Sequence, residues 1–216
     1  VRRRYPSLPR ANQIEWLRAV VDTLAAAAPG ATLVVVKLDA WHIIDFDVVQ
    51  EAFPDAKLVF VIRDPIQVAA SHIATPALYV IPGAYSQMPW RPLPESPAWN
   101  NQACYLAETL GEIYRSGLVA CKHASVRVVD HSRLPDAIWS ELRDALALPE
   151  GSDLRSGIEK RAASHAKRPQ QTYDATADDE RTGNLTPEVR DFVDAACRAS
   201  YDQLRAISST HAMQKK

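Results

Sequence analysis

Three short apolar runs constrain this chain most: Thr32–Lys37, Lys57–Ile62 and Ser125–Val129. The first two are continuous rather than alternating, Thr32–Lys37 being rich in β-branched residues, and Ser125-Val-Arg-Val-Val129 reads as a third strand. A strand apolar at every position is buried on both faces, as in a parallel sheet covered by helices. The stretches between them have helical patterning. Asn12-Gln13-Ile14-Glu15 resembles a capping box and predicts a helix to about Ala28, ended by Pro29-Gly30. A short helix is expected over Asp45–Phe53, stopped by Pro54, and another from Pro65 to about Ile73. Further helices are expected over Trp99–Leu118, Asp136–Leu146, Asp153–Ala166 and Pro187–Ile207, with Lys167–Asn184 as a loop. The fold class is therefore α/β: a mostly parallel sheet flanked by helices, with a helix-rich C-terminal part, in one domain over residues 1–216.

Such sheets bind ligands beyond the C-terminal ends of their strands. That rule singles out Lys37-Leu38-Asp39, Arg63-Asp64-Pro65 and Asp130-His131-Ser132. The formal net charge is −1, so no global basic field argues for nucleic acid or an anionic membrane. Any anion site must be local. No apolar run approaches the ~20 residues needed to span a bilayer, and Val1–Arg4 is followed by Tyr5-Pro6-Ser7-Leu8-Pro9 rather than an apolar leader. Cys104, Cys121 and Cys197 show no metal spacing, which suggests three buried thiols and a reducing compartment. A cytoplasmic location is the expectation. A homo-oligomer stays open, because Phe192, Val193, Ala196, Tyr201 and Leu204 form an apolar helix face that suits either a core or an interface.

The residues after the second run carry the strongest chemical signal. Arg63 stands at a strand's C-terminal end, where its planar fork suits a phosphate. A helix starting at Pro65 aims its N-terminal N–H groups at the same region. Ser71 lies two turns along and adds a hydroxyl. The competing reading is an Arg63–Asp64 strand-end ion pair with Ser71 as an ordinary helix residue.

With Phe53-Pro54-Asp55-Ala56-Lys57 before it, this pattern resembles the sulfotransferase family. Its members place an Arg after a strand and a Ser eight residues on, against the 3′-phosphate of 3′-phosphoadenosine 5′-phosphosulfate. The resemblance extends, in a bacterial-type branch, to Lys37-Leu38-Asp39-Ala40-Trp41-His42, Ile81-Pro82-Gly83, Leu134-Pro135 and Ala166-Lys167. It implies a P-loop nucleotide-hydrolase-like fold and a metal-independent transfer of a sulfuryl group from that donor to a small-molecule or carbohydrate hydroxyl.

Sulfuryl transfer requires a base for the acceptor hydroxyl and cations for the leaving phosphate. By the resemblance Asp39, two residues after Lys37, holds the position of the base, which for a carboxylate needs burial to raise its pKa. His42 is the alternative. A Lys37–Asp39 pair, with Trp41 and His42 packing the loop, is the competing structural reading. His131 falls where the family stacks a Tyr on the adenine, and Lys167 and Arg168 fall where it adds basic contacts to the 3′-phosphate. A surface turn and a solvated basic pair are the respective alternatives. Tyr79, Tyr85, Met88 and Trp90 populate the long segment Thr75–Pro97, as a lid over an acceptor or as anchors of a long loop.

One half-site is missing from the pattern. The family cradles the 5′-phosphosulfate in a Gly/Ser-rich loop after its first strand. None of the seven glycines here stands in such a turn. The chain is therefore expected to be an N-terminally incomplete domain, or a catalytically incomplete nucleotide-binding or scaffold domain. A P-loop kinase relative is disfavoured by the lack of a G-x-x-x-x-G-K-[ST] motif.

Overall fold

The computed structural model describes residues 8–27, 29–31, 33–84, 97–149, 151–165, 168–172 and 176–213. It is rich in helix, with a two-stranded parallel sheet between helices. Helix α1 spans Arg10–Ala26 and α2 spans Phe46–Ala52. Strand β1 (Leu58–Ile62) leads into α3 (Pro65–Ala74), and α4 (Gln102–Ala120) leads into β2 (Val126–Asp130). A π-helical turn over Ile138–Leu142 runs into the short α5 (Arg143–Ala145). There follow α6 (Ser152–Ala162), the strands β3 (Ser164–His165) and β4 (Arg168–Thr172), α7 (Thr176–Gly183) and α8 (Pro187–Met213). Among the described residues no helix is long and apolar enough to cross a membrane.

β1 and β2 pair in parallel with Ile62 opposite Asp130. The core forms where α3, α4 and α8 cover this pair. Ile62, Val128, Leu106, Val193 and Leu204 are each at most 2% exposed. The apolar face of α8 belongs to this core: Val193, Cys197, Tyr201 and Leu204 are buried, with Phe192 and Ala196 packed against them. α4 and α8 approach closely at Gly111, where an added Cβ would lie 2.8 Å from the Ala196 carbonyl oxygen. The Cys197 thiol donates to the Ala107 carbonyl across the same interface at 3.7 Å.

α1 and α2 form a satellite around Ile14, Val48 and Ala52. Arg18 donates to the Ala52 and Glu51 carbonyls at 2.8 and 3.1 Å, serving C-terminal groups of α2 that lack helical partners. The capping box expected at Asn12 is not used. α1 begins at Arg10 after Pro9, with no side-chain cap.

The largest departure from expectation is the run at Thr32–Lys37. Residues 33–37 take no regular structure and are exposed, Val35 to 77%. A β-branched run becomes a strand only where a neighbouring edge meets its N–H and C=O groups, and here β1 pairs with β2. A second correction lies near residue 168. The expected loop carries β4, which pairs antiparallel with β3 (Ser164 opposite Thr172), and then α7. The helix expected over Asp136–Leu146 is largely π-helical, and the one over Asp153–Ala166 stops at Ala162. Of the three thiols only Cys197 is buried; Cys104 and Cys121 are partly exposed.

Candidate functional site

The parallel register decides what meets at the ligand edge. With Ile62 opposite Asp130, Arg63 and His131 are the residues that follow the paired strands at the same end of the sheet. Arg63 turns back along α3, where its Nε donates to the Gln67 Oε1 at 3.0 Å. Ser71 follows one turn later. Gln67 and Ser71 stand at four-residue spacing on α3, and Arg63, which precedes the helix, reaches it through Gln67. The Arg63 main chain is held independently, since the Tyr114 hydroxyl donates to its carbonyl at 2.6 Å. Burial raises the Tyr114 pKa far above its ordinary value, so this group remains a donor.

The Asp64 Oδ1 accepts from the Ile66 amide at 2.9 Å and caps α3, while its Oδ2 meets Arg198 at 3.0 Å. Arg198 also pairs with Asp194 at 2.7 Å and lies over the Tyr201 ring. Among the described residues the Asp64 carboxylate is thus engaged by Ile66 and Arg198. The same carboxylate answers the positive end of the α3 dipole, where the sequence predicts an anion.

His131 occupies the turn His131–Arg133 and is half-buried. Asp130 shapes that turn by accepting from the Ser132 amide at 2.9 Å and hydroxyl at 2.7 Å. The Tyr201 hydroxyl reaches the other Asp130 oxygen at 3.4 Å.

Lys37 and Asp39 are exposed, and no ion pair joins them among the described residues. The burial that a carboxylate base requires is lacking at Asp39. The Asp39 carbonyl lies 3.1 Å from His42 Nδ1. A carbonyl only accepts, so Nδ1 is the donor in this contact. Trp41 stacks on His42 with ring centroids 3.7 Å apart. This is the loop-packing arrangement, with Trp41 also resting on the main core.

Tyr79 anchors to the body of the protein, its hydroxyl 2.9 Å from His72 Nε2 on α3. Burial, and then the charge of Asp39, push its pKa up to about 12. Asp39 is thus electrostatically linked to the residue that anchors beside Ser71. Tyr85, Met88, Trp90 and Lys167 lie outside the described residues. Arg168 begins β4 rather than sitting in a loop.

Three participants escaped the sequence reading, Gln67, Tyr114 and Arg198, and His72 was not foreseen as the partner of Tyr79. Gln67 had a signal, its four-residue spacing from both Arg63 and Ser71. Tyr114 and Arg198 had none, being 51 residues from Arg63 and 134 from Asp64. A depression of about 500 Å³ between α1 and α2, lined by Ile14, Glu15, Arg18, Asp22 and Glu51 among others, includes none of the site residues. Among the described residues no group of three His, Cys, Asp or Glu side chains is placed to hold a metal ion.

No family model, curated protein or solved structure matches this chain.

Proposed function

We propose that Arg63, together with Gln67 and Ser71 on α3, binds the 3′-phosphate of an adenine nucleotide, with His131 beside the base. The observation that carries this reading is the register that brings Arg63 and His131 to one sheet edge, with Gln67 and Ser71 continuing from Arg63. Gln67 orients the guanidinium through Nε, and a guanidinium held this way suits paired contacts to phosphate oxygens. The nucleotide is 3′-phosphoadenosine 5′-phosphosulfate, and the reaction is sulfuryl transfer to a hydroxyl of a small molecule or carbohydrate. The fold is a sulfotransferase-type member of the P-loop class. In transfer, Asp39 or His42 takes the acceptor proton, Lys37 neutralises developing charge, and Lys167 and Arg168 add to the 3′-phosphate subsite.

A thermal-shift titration with adenosine 3′,5′-bisphosphate tests the binding step. The melting temperature should rise with that ligand and not with adenosine 5′-monophosphate, which lacks the 3′-phosphate. Arg63→Ala should remove the rise. No response from the unmutated protein overturns the proposal.

The exposure of Asp39 favours a second reading, nucleotide binding without transfer. A radiolabelled sulfuryl donor with phenol and sugar acceptors separates the two. Label in the acceptor supports the enzyme, and binding without label supports the non-catalytic domain.

A further inference from the structure

The sheet has two outer edges, and side chains close one of them. The Leu58 amide donates to the Ser125 carbonyl, so residues 125, 127 and 129 face β1. Val128 and Asp130 therefore point their amides away from β1. Both are met by α8. The Val128 amide donates to His211 Nδ1 at 3.3 Å, and the Asp130 amide donates to the Ser208 hydroxyl at 3.1 Å. Ser208 is 1% exposed. An unpaired edge invites pairing with another strand, and these two residues occupy the place such a strand would take.

The two contacts differ chemically. A serine hydroxyl accepts at any ordinary pH. An imidazole nitrogen accepts only while it carries no proton. With Nδ1 as acceptor, the His211 ring is neutral and its proton sits on Nε2. We infer that His211 is a pH-sensitive latch on the outer edge of β2: protonation of Nδ1 sets two N–H groups against each other and releases the last turn of α8, while Ser208 keeps its hold.

The charges around the ring fit this role. Burial lowers the His211 pKa below its ordinary value, and Arg127 on β2 lowers it further, while Glu141 on the π-helical turn opposes them. Arg133 pairs with Glu141 and donates to the Ser208 carbonyl, which adds a second cation on this side. The backbone hydrogen bond with Val128 opposes the lowering as Glu141 does, so the net lowering comes from burial and Arg127. Because the folded-state pKa is lowered, the latch is fully closed above the ordinary histidine value. It opens as pH falls through the lowered one.

Amide hydrogen exchange at about pH 7.5 and about pH 5 tests the latch, with each protection factor corrected for intrinsic exchange. The Val128 amide should lose protection by about tenfold or more, one pH unit of titration corresponding to a tenfold change in population. Val129, which faces β1, and Asp130, held by Ser208, should lose far less. His211→Gln supplies an acceptor that does not titrate and should flatten the Val128 response. Nitrogen chemical shifts of the His211 ring in the unmutated protein give an independent reading and should show Nδ1 unprotonated at about pH 7.5. Equal loss at Val128, Val129 and Asp130, or Nδ1 protonated at about pH 7.5, overturns the inference.

Discussion

The Tyr114 hydroxyl donates to the Arg63 carbonyl at 2.6 Å, so α4 holds the main chain of the residue that leaves β1 for the ligand edge. Tyr114 is 4% exposed and packs edge-on against Tyr201 at 6.0 Å. Tyr114→Phe keeps the ring and removes the donor. It should cost about 1–2 kcal/mol in urea unfolding, because the Arg63 carbonyl is left without that partner. Nucleotide affinity should fall with it, since Arg63 loses its positioning. A variant as stable as the unmutated protein would show that the bond does not support the site.

Asp64 serves two partners, the Ile66 amide and Arg198. Arg198 is about one-third exposed, as is Asp64, so the pair is screened and worth at most about 1 kcal/mol. Asp64→Ala also removes the cap of α3, worth about 1 kcal/mol more. Arg198→Met should therefore destabilise less than Asp64→Ala. Equal costs in denaturant unfolding would mean that the cap contributes nothing.

Gly111 and Gly157 provide a matched pair of helical glycines. An added Cβ at Gly111 would stand 2.8 Å from the Ala196 carbonyl oxygen, whereas at Gly157 nothing lies within 4 Å. Alanine gains about 1 kcal/mol over glycine in a helix. Gly157→Ala should raise the melting temperature by that term alone. At Gly111 the clash with backbone should exceed it, by about 1–2 kcal/mol net. Opposite signs at the two positions in thermal unfolding are the expected result.

Burial raises all three thiols above the ordinary cysteine range, Cys121 to about 11 and Cys197 to about 12. At Cys104 burial acts first and Glu108 adds to it. Alkylation requires the thiolate. At about pH 8 the folded protein should therefore react with iodoacetamide slowly at every cysteine and slowest at Cys197. All three should react readily once urea has unfolded the chain. Mass spectrometry after timed labelling reads this directly, and fast labelling of Cys197 in the folded state would contradict its burial.

Several elements were legible in the sequence because their causes are local. Lys57–Ile62 and Ser125–Val129 predict strands, and the structure has them at Leu58–Ile62 and Val126–Asp130. Asp64-Pro65 starts α3, because a carboxylate cap and a fixed φ act within one turn. Thr32–Lys37 misled for a complementary reason. Its composition favours a strand, but a strand needs a partner edge, and composition carries no information about partners.

By itself, then, the sequence determined most of the helices, the strands β1 and β2 and the position of Arg63 between β1 and α3. Periodicity, caps and side-chain branching all act over a few residues. Only the tertiary structure decided that β1 pairs with β2 in the register that brings Arg63 and His131 to the same end of the sheet. Only there does Asp64 meet Arg198, and only there does His211 accept from Val128. Those contacts join residues dozens to more than a hundred positions apart. They exist because packing of the core brings the elements together, and no local preference encodes them.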